Sequence, residues 1–391
     1  MSTWIIEPRD PLIVGDGRPF GPNPGARATS LSFPFPSTLI GALRSRAGSD
    51  EHGHFTADPK TVLKYEMRGP LLVELDDVGK IKECYLPAPA DALIYTDSNS
   101  QTIRRVWLAP QEDRNSSISN QPDDLWYIGP KERVKGKAYS DAPSFWSADD
   151  FAQWLSQPKD SPSDSDEDFA FANPSIKSLH KDTRMHVSIN KDTQTGEDGL
   201  LYLTSGLEFV RVEKQEDDEY RKTFHRLALA VDFKHNIERF EGGLAPLGGE
   251  RRLMHWQKSE SSLELFFEGC KAKIIEQICN DKRARVILLT PAYFTNGFRP
   301  EMQWTFAGVT ATLKGVVNSR YQTVSGWDFA SNRPKASTRL APAGSVYYVE
   351  FAEGTDIAAW CEAVWLQNVS DGEQWRRDGF GLAVLGIWKE E

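Results

Sequence analysis

Three loops of this chain carry isolated cations, two of them beside glycine. GDGRPFG holds Arg18 between glycine and proline, LGGERR sets two glycines beside Arg251 and Arg252, and NRPKASTR carries Arg333, Lys335 and Arg339 with the hydroxyls of Ser337 and Thr338. Glycine lets a backbone approach a phosphate closely, and a guanidinium grips one bidentately. The last loop is the least opposed, because no acidic residue occurs from Phe329 to Val349 in a chain whose formal net charge is −10. Each loop by itself also fits a solvated turn. Together, in an acidic protein, they raise a polyanion as the ligand class to weigh against that bland reading.

A fourth candidate lies in the middle of the chain. DTRMHVSINKDTQTGEDGLLYLTSGLEF places Arg184 and His186 on a strand that leads into a long polar hairpin tip. Met185 and Val187 fall on the opposite face, so the hairpin could wedge between stacked bases or be an ordinary hairpin.

Catalytic chemistry finds less support. Seven histidines include the His52/His54 pair and His180 and His186 either side of Arg184, but no HExxH, DxDxDG or ordered His/Asp cluster accompanies them. A metal site is therefore not expected. There is no GxSxG elbow, and neither GDGRPFG nor DGFGLAVLG has the GxxxxGK[ST] order of a phosphate-binding loop. No cofactor is implied.

The elements that must position these loops are readable as a mixture of strands and helices. WIIEPRDPLIV is an opening strand broken by prolines, and FPSTLIGALRSRAG starts a helix at Pro36 with Leu39, Ile40 and Leu43 as its apolar stripe. GPLLVELDDVGKIKECYLP reads as two strands across a polar turn. Order weakens from about Thr96 to Asp168, where RNSSISNQPDD and QPKDSPSDSDED suggest a solvated insertion with a short helix at SADDFAQWLSQ. Beyond it, TFHRLALAVDF, LGGERRLMHWQ, RVILLTPAYF, SVYYVEF and DGFGLAVLGIW read as strands. SSLELFFEGCKAKIIEQICNDKRA and TDIAAWCEAVWLQ read as helices, the first with Leu265, Phe266, Cys270, Ile274 and Ile278 as its buried stripe. This alternation suggests α+β domains of the split β-α-β kind.

At 391 residues two domains are the default, and 39% hydrophobic residues suffice for packed cores. Cys84, Cys270, Cys279 and Cys361 form no CxxC pair, so reduced thiols in a cytoplasmic protein are expected. MSTWIIEPRDPLIV lacks the pattern of a signal peptide, and no stretch has the roughly 20 apolar residues of a membrane span.

The order of PLIVGDGRPFG, FPFPSTLIGALRSRAG, RMHVSINKDTQTGEDGLLY, LGGERR, SGWDFASNRPKASTRLAPAGSVYYVEF and DGFGLAVLGIW resembles the third-subunit family of the Cmr complex, RAMP proteins of type III-B CRISPR systems. The resemblance runs from Pro11 to Trp388. It implies two ferredoxin-like (RRM-like) domains side by side, divided as 1–212 and 213–391, with the insertion at about 96–170 and a glycine-rich loop at 378–386. It implies a non-catalytic subunit that caps one end of an effector complex and holds the 5′ tag of the CRISPR RNA. A β-hairpin thumb, matched by 184–202, would displace a nucleotide at the tag–guide boundary. The resemblance extends the RNA-contact set to Arg18, Ser37, Thr38, Arg44, Arg46, Arg184, Met185, His186, Arg251, Arg333, Lys335, Arg339, Gly379 and Gly381. Partners implied are CRISPR RNA, the large polymerase-like subunit, the backbone RAMP subunit and target RNA near the tag, with no membrane. The alternative is a RAMP endoribonuclease using His186 or His54 as general acid or base.

Overall fold

A computed structural model describes the chain except for residues 1, 16–26, 29, 51, 112–124, 163–166, 216–217, 235–241, 329–332 and 390–391. The protein is mixed α/β, rich in sheet with few helices. It forms two compact units, each built from three stretches of chain. Met1–Lys82, Ser178–Ser261 and Thr323–Arg339 make the first; Glu83–Lys177, Ser262–Gln322 and Leu340–Glu391 make the second. The sequential division at 212/213 falls inside a strand, Val210–Gln215.

In the first unit, strands Met67–Leu75, Asp218–Phe233, Ser2–Pro8, Leu253–Lys258 and Gly243–Pro246 lie side by side, every pair antiparallel. Apolar runs such as Trp4-Ile5-Ile6 and Leu71-Leu72-Val73 are buried on both faces. Helix Pro36–Ala47 crosses between strands Ser2–Pro8 and Met67–Leu75, burying Leu39, Ile40 and Leu43. The second unit has strands Gln303–Phe306, Val309–Val317, Val346–Phe351, Arg283–Leu288, Leu382–Ile387 and Gln367–Asn368, again all antiparallel. Its crossover helix, Ile357–Val364, joins Val346–Phe351 to the region of Leu382–Ile387.

The two sheets share a plan. Numbered along the chain, the four main strands of each unit lie in the order second, third, first, fourth. One unit keeps a helix in its first crossover and the other in its second.

The insertion differs from the solvated loop that its composition suggests. Among its described residues it contains strands Ile103–Trp107, Ala109–Gln111, Tyr127–Gly129, Gly136–Ala138 and Phe145–Ser147, and helix Ala148–Ser156. Trp146, Phe151 and Trp154 are buried, so residues 83–177 are structural members of the second unit. An ion pair fixes them there. Arg285 Nη1 meets Asp91 Oδ2 at 2.7 Å, with both side chains fully buried. Asp91 Oδ1 accepts from Trp154 Nε1 at 2.9 Å, and Asp91 Oδ2 accepts from the Tyr348 hydroxyl at 3.1 Å. Arg285 spends its other donors on the carbonyls of Ile387 (2.8 Å), Trp154 (2.6 Å) and Leu155 (3.2 Å). A buried pair satisfied on this many sides meets the condition under which it is tolerated in a core.

Helix Leu265–Asp281 also departs from expectation by a fraction of a turn. Phe267, Ile274 and Ile278 are its buried residues, whereas Leu265 is 55% exposed. Spacing measured back from Ile274 selects Phe267, which is three residues before Cys270 and seven before Ile274, and puts Leu265 on the opposite face.

Candidate nucleic-acid interface

In the first unit the hairpin base, the ends of the glycine loop and the LGGERR turn meet one short segment, Leu12–Gly15. Leu12 pairs with Leu207 at the base of the central hairpin. The Ile13 carbonyl accepts from the Gly249 amide of LGGERR at 2.7 Å. Val14 receives the amide of Leu31 at 2.9 Å and donates its own to Ser30 Oγ at 3.2 Å, just ahead of helix Pro36–Ala47. Gly15 bridges Ser30, and Ala28 pairs with Thr204 of the hairpin, so the ends of the glycine loop are held at the hairpin base. Arg18 itself lies outside the described residues.

Two glycines permit this crowding. A Cβ on Gly206 would meet Pro11 Cβ at 2.7 Å and its carbonyl oxygen at 3.0 Å. Gly248 has φ +74°, and a Cβ there would meet the Ile13 carbonyl at 2.3 Å. Any larger residue would push the hairpin or the LGGERR loop off the shared segment.

The hairpin consists of strands His180–Ile189 and Gly196–Glu208. Pairing Met185 with Leu203 and Val187 with Leu201 puts these four and Ile189 on one face. Met185 is 68% exposed and Ile189 is 59% exposed, with Val187 and Leu201 also exposed, so the face is an uncovered apolar ledge. The other face is polar. His186 stacks on Tyr202 with ring centroids 5.2 Å apart and shares a hydrogen bond with Thr204 Oγ1 at 2.9 Å. Arg184 is exposed and paired with Asp182 at 2.6 Å. Ile189, Leu201 and Tyr202 were not singled out in the sequence. Strand alternation could have found the first two, whereas Tyr202 needs the cross-strand register.

Helix Pro36–Ala47 opens on Pro36, with no side-chain cap and no acidic residue in its first turn. Thr38 donates its amide back to the Phe35 carbonyl at 3.0 Å, and the side chains of Ser37 and Thr38 are half-buried. The opposite end serves the framework. Arg44 is 9% exposed and donates to the carbonyls of Val62 (3.0 Å), Leu63 (3.1 Å) and Tyr65 (3.0 Å), finishing the short helix Pro59–Val62. Arg46 donates to the carbonyls of Gly242 (3.0 Å) and Leu244 (3.4 Å), and burial lowers its pKa.

In LGGERR, Glu250 and Arg251 both adopt left-handed backbone, at φ +55° and +49°. Such non-glycine residues cost about 1–3 kcal/mol each. The conformation leaves the Arg251 side chain exposed, while Arg252 pairs with Glu250 at 2.7 Å. The cationic loop also belongs to the first unit, within Thr323–Arg339. Trp327–Asp328 pairs with Arg333–Pro334, and Lys335 donates its amide to the Gly326 carbonyl at 2.8 Å. Arg333, Lys335, Ser337 and Arg339 are exposed.

Gly379 and Gly381 are in the second unit, both left-handed at φ +94° and +82°. Their amides are already donated, to Arg376 at 3.1 Å and Pro291 at 2.8 Å. Their carbonyls accept from Thr290 Oγ1 at 2.8 Å and the Val369 amide at 2.9 Å. Among the described residues the two histidines weighed as general acid or base lie apart in different settings: His54 is exposed beside Asp50 at 3.7 Å, and His186 is engaged by Tyr202 and Thr204. Among the described residues no group of three His, Cys, Asp or Glu side chains could hold a metal ion, and no helix is long and apolar enough to cross a membrane.

One family model matches nearly the whole chain. Residues 4–388 match the family model described as CRISPR-associated protein (Cas_Cmr3). Among solved structures, a chain in the cryo-EM structure of the type III-B Cmr-beta bound to cognate target RNA is similar, at 13% identity. The match covers 88% of this chain and 86% of that one, with a TM-score of 0.45. A chain of the same assembly bound to cognate target RNA and AMPPnP, state 1, matches at 12% identity, with the same coverage and TM-score. No curated protein matches.

Proposed function

The chain belongs to the Cmr3 family of CRISPR-associated proteins, and we propose that it is the non-catalytic subunit of a type III-B effector complex that holds the 5′ tag of the CRISPR RNA at one end of the assembly. The observation that carries this reading is the hub at Leu12–Gly15. It ties the hairpin base, the ends of the glycine loop, the LGGERR turn and the approach to an uncapped helix N-terminus to one segment. Exposed guanidinium groups, backbone turns and a helix N-terminus are the donors that grip an RNA backbone without reading its sequence.

In this reading Arg251, Arg333, Lys335 and Arg339 hold phosphates, with Ser37 and Thr38 at the helix start and Arg18 on the glycine loop. The hairpin's apolar ledge of Met185, Val187 and Leu201 displaces a nucleotide where tag meets guide, because unstacked bases exchange readily onto apolar or aromatic side chains. Arg184 and His186 flank the ledge on its polar face. Arg44 and Arg46 position the helix through backbone carbonyls, and Gly379 and Gly381 shape the second unit. The matching strand order of the two sheets supports a pair of ferredoxin-like domains. The large polymerase-like subunit, the backbone RAMP subunit and target RNA near the tag are the neighbours this role requires, and the cytoplasm is its site of action.

The test is binding of tagged CRISPR RNA by the assembled complex across a salt series. Replacing Arg333, Lys335 and Arg339 together by alanine removes up to three phosphate contacts. That should flatten the dependence of log K on log salt by about 2, at roughly 0.7 per single-strand phosphate. An unchanged slope and affinity would remove the cationic loop from the RNA path.

A further inference from the structure

Between Lys282 and Val349 the chain carries nine lysines and arginines against only Glu301 and Asp328, the reverse of its overall charge. Several of those cations are consumed internally. Lys282 pairs with Glu353, Arg283 and Lys314 with Glu350, and Arg285 with Asp91. In the second unit Arg299 and Arg320 remain, and each adjoins an exposed aromatic. Phe298 is 44% exposed and Tyr321 is 47% exposed, and Arg320 is exposed beside Tyr321.

These residues sit on two loops that are tied together. The Phe298 carbonyl accepts from Asn318 Nδ2 at 3.3 Å and from the buried Tyr347 hydroxyl at 3.0 Å. Gly297, at φ +80°, turns the chain just before Phe298, and the Arg299 guanidinium lies 6.0 Å from the Phe298 ring centroid while donating to the Pro300 carbonyl at 3.0 Å. The backbone under Phe298 is thus fixed from two sides, while part of its ring faces solvent. Residues 289–300 and 302–322 contain no acidic side chain.

We propose that Phe298 and Tyr321, with Arg299 and Arg320, form a stacking platform for unpaired RNA on the second unit, distinct from the phosphate-holding residues of the first. An exposed ring costs hydration unless something flat covers it, and every nucleobase offers a π face. Arginine beside such a ring adds phosphate attraction and cation–π contact. A protein surface could cover the rings too, but the surplus of cations favours a polyanion. Two other exposed aromatics, Phe224 and Phe55, lack this setting. Phe224 neighbours His225, which is bound to Glu74 and Glu213, and Phe55 packs beside Gly48.

The inference rests on the RNA-binding reading above, and its test separates the two. The full chain is titrated against fluorescein-labelled single-stranded oligoadenylate, comparing wild type, F298A/Y321A, F298W/Y321F and R333A/K335A. Stacking predicts that F298A/Y321A weakens binding by about tenfold with little change in salt slope. F298W/Y321F should keep wild-type affinity within about twofold, and R333A/K335A should flatten the slope instead. Normal binding by F298A/Y321A alongside weakened R333A/K335A overturns the platform and leaves the phosphate surface standing. Wild-type behaviour from both overturns both. In the assembled complex carrying F298A/Y321A, loss of a partner subunit without loss of RNA makes the patch a protein interface and likewise overturns the platform. Should F298A/Y321A fail to fold, photocrosslinking of the unaltered chain to 4-thiouridine RNA decides. Adducts at Phe298 or Tyr321 support the platform, and none within 289–322 refutes it.

Discussion

Replacing Asp91 by alanine should be among the most damaging single changes in the second unit. Arg285 is fully buried and always charged, and Asp91 is the carboxylate paired with it. Alanine would leave that charge uncompensated in the interior. It would also remove the acceptor for Trp154 Nε1 and one acceptor for the Tyr348 hydroxyl. Breaking a buried pair from one side costs about 3–5 kcal/mol. For a unit of about 200 residues, each kcal/mol lowers Tm by about 2–4 °C, so a fall of roughly 10 °C is expected in that unit's transition. Scanning calorimetry with near-ultraviolet circular dichroism reads it directly, since Trp146 and Trp154 report on the same core. The double variant D91A/R285M should recover much of the loss, because a hydrophobic replacement of the whole pair leaves no buried charge. A fall in Tm of less than about 3 °C for D91A, or a double variant no better than the single, would refute the claim that this pair anchors the insertion.

Two further outcomes follow from local geometry. Arg251→Gly relieves a left-handed arginine and should stabilise the first unit by about 1 kcal/mol in denaturant titration, while weakening RNA binding where Arg251 holds a phosphate. Higher stability with unchanged RNA affinity would assign Arg251 to the turn alone. Glu350 is desolvated, yet hydrogen bonds and charge from Lys314 and Arg283 outweigh that and hold its pKa below the usual carboxylate value. A depressed folded pKa contributes stability that is present above the unfolded pKa and lost as pH falls through the folded one. The Tm gap between wild type and E350Q should therefore be open at neutral pH and close below about pH 4; a gap that is constant with pH would contradict the pairing.

How much of this was legible in the sequence depends on the span of the interaction. Helix Pro36–Ala47 and the hairpin of His180–Ile189 with Gly196–Glu208 are local patterns, and spacing or alternation finds them. The insertion's short helix at Ala148–Ser156 is legible, but the rest is not, because its strands are mostly three residues long, too short for a period, and its anchor joins Asp91 to Arg285 across 194 positions. Residue type did not distinguish the cations either. Arg44 and Arg333 are both arginines of the expected RNA-contact set, but Arg44 is 9% exposed against three carbonyls whereas Arg333 is exposed. A helix dipole favours a cation at the end of Pro36–Ala47, yet the carbonyls that bind Arg44 belong to the segment after it, Val62, Leu63 and Tyr65.

That contrast argues for treating the cationic loops as a ligand surface while setting Arg44 aside. A framework arginine gains by matching its donors to fixed carbonyls, and the fold then keeps it from water. An arginine kept for a polyanion must remain solvated until the ligand arrives, and backbone strain such as that at Glu250 and Arg251 can persist where it holds a side chain outward. The chain carries both kinds within a net charge of −10. Its acidity therefore describes the bulk of the surface and leaves Arg251, Arg333, Lys335 and Arg339 as local features, to which a phosphate backbone would be drawn through short-range fields screened within about 8 Å at physiological salt.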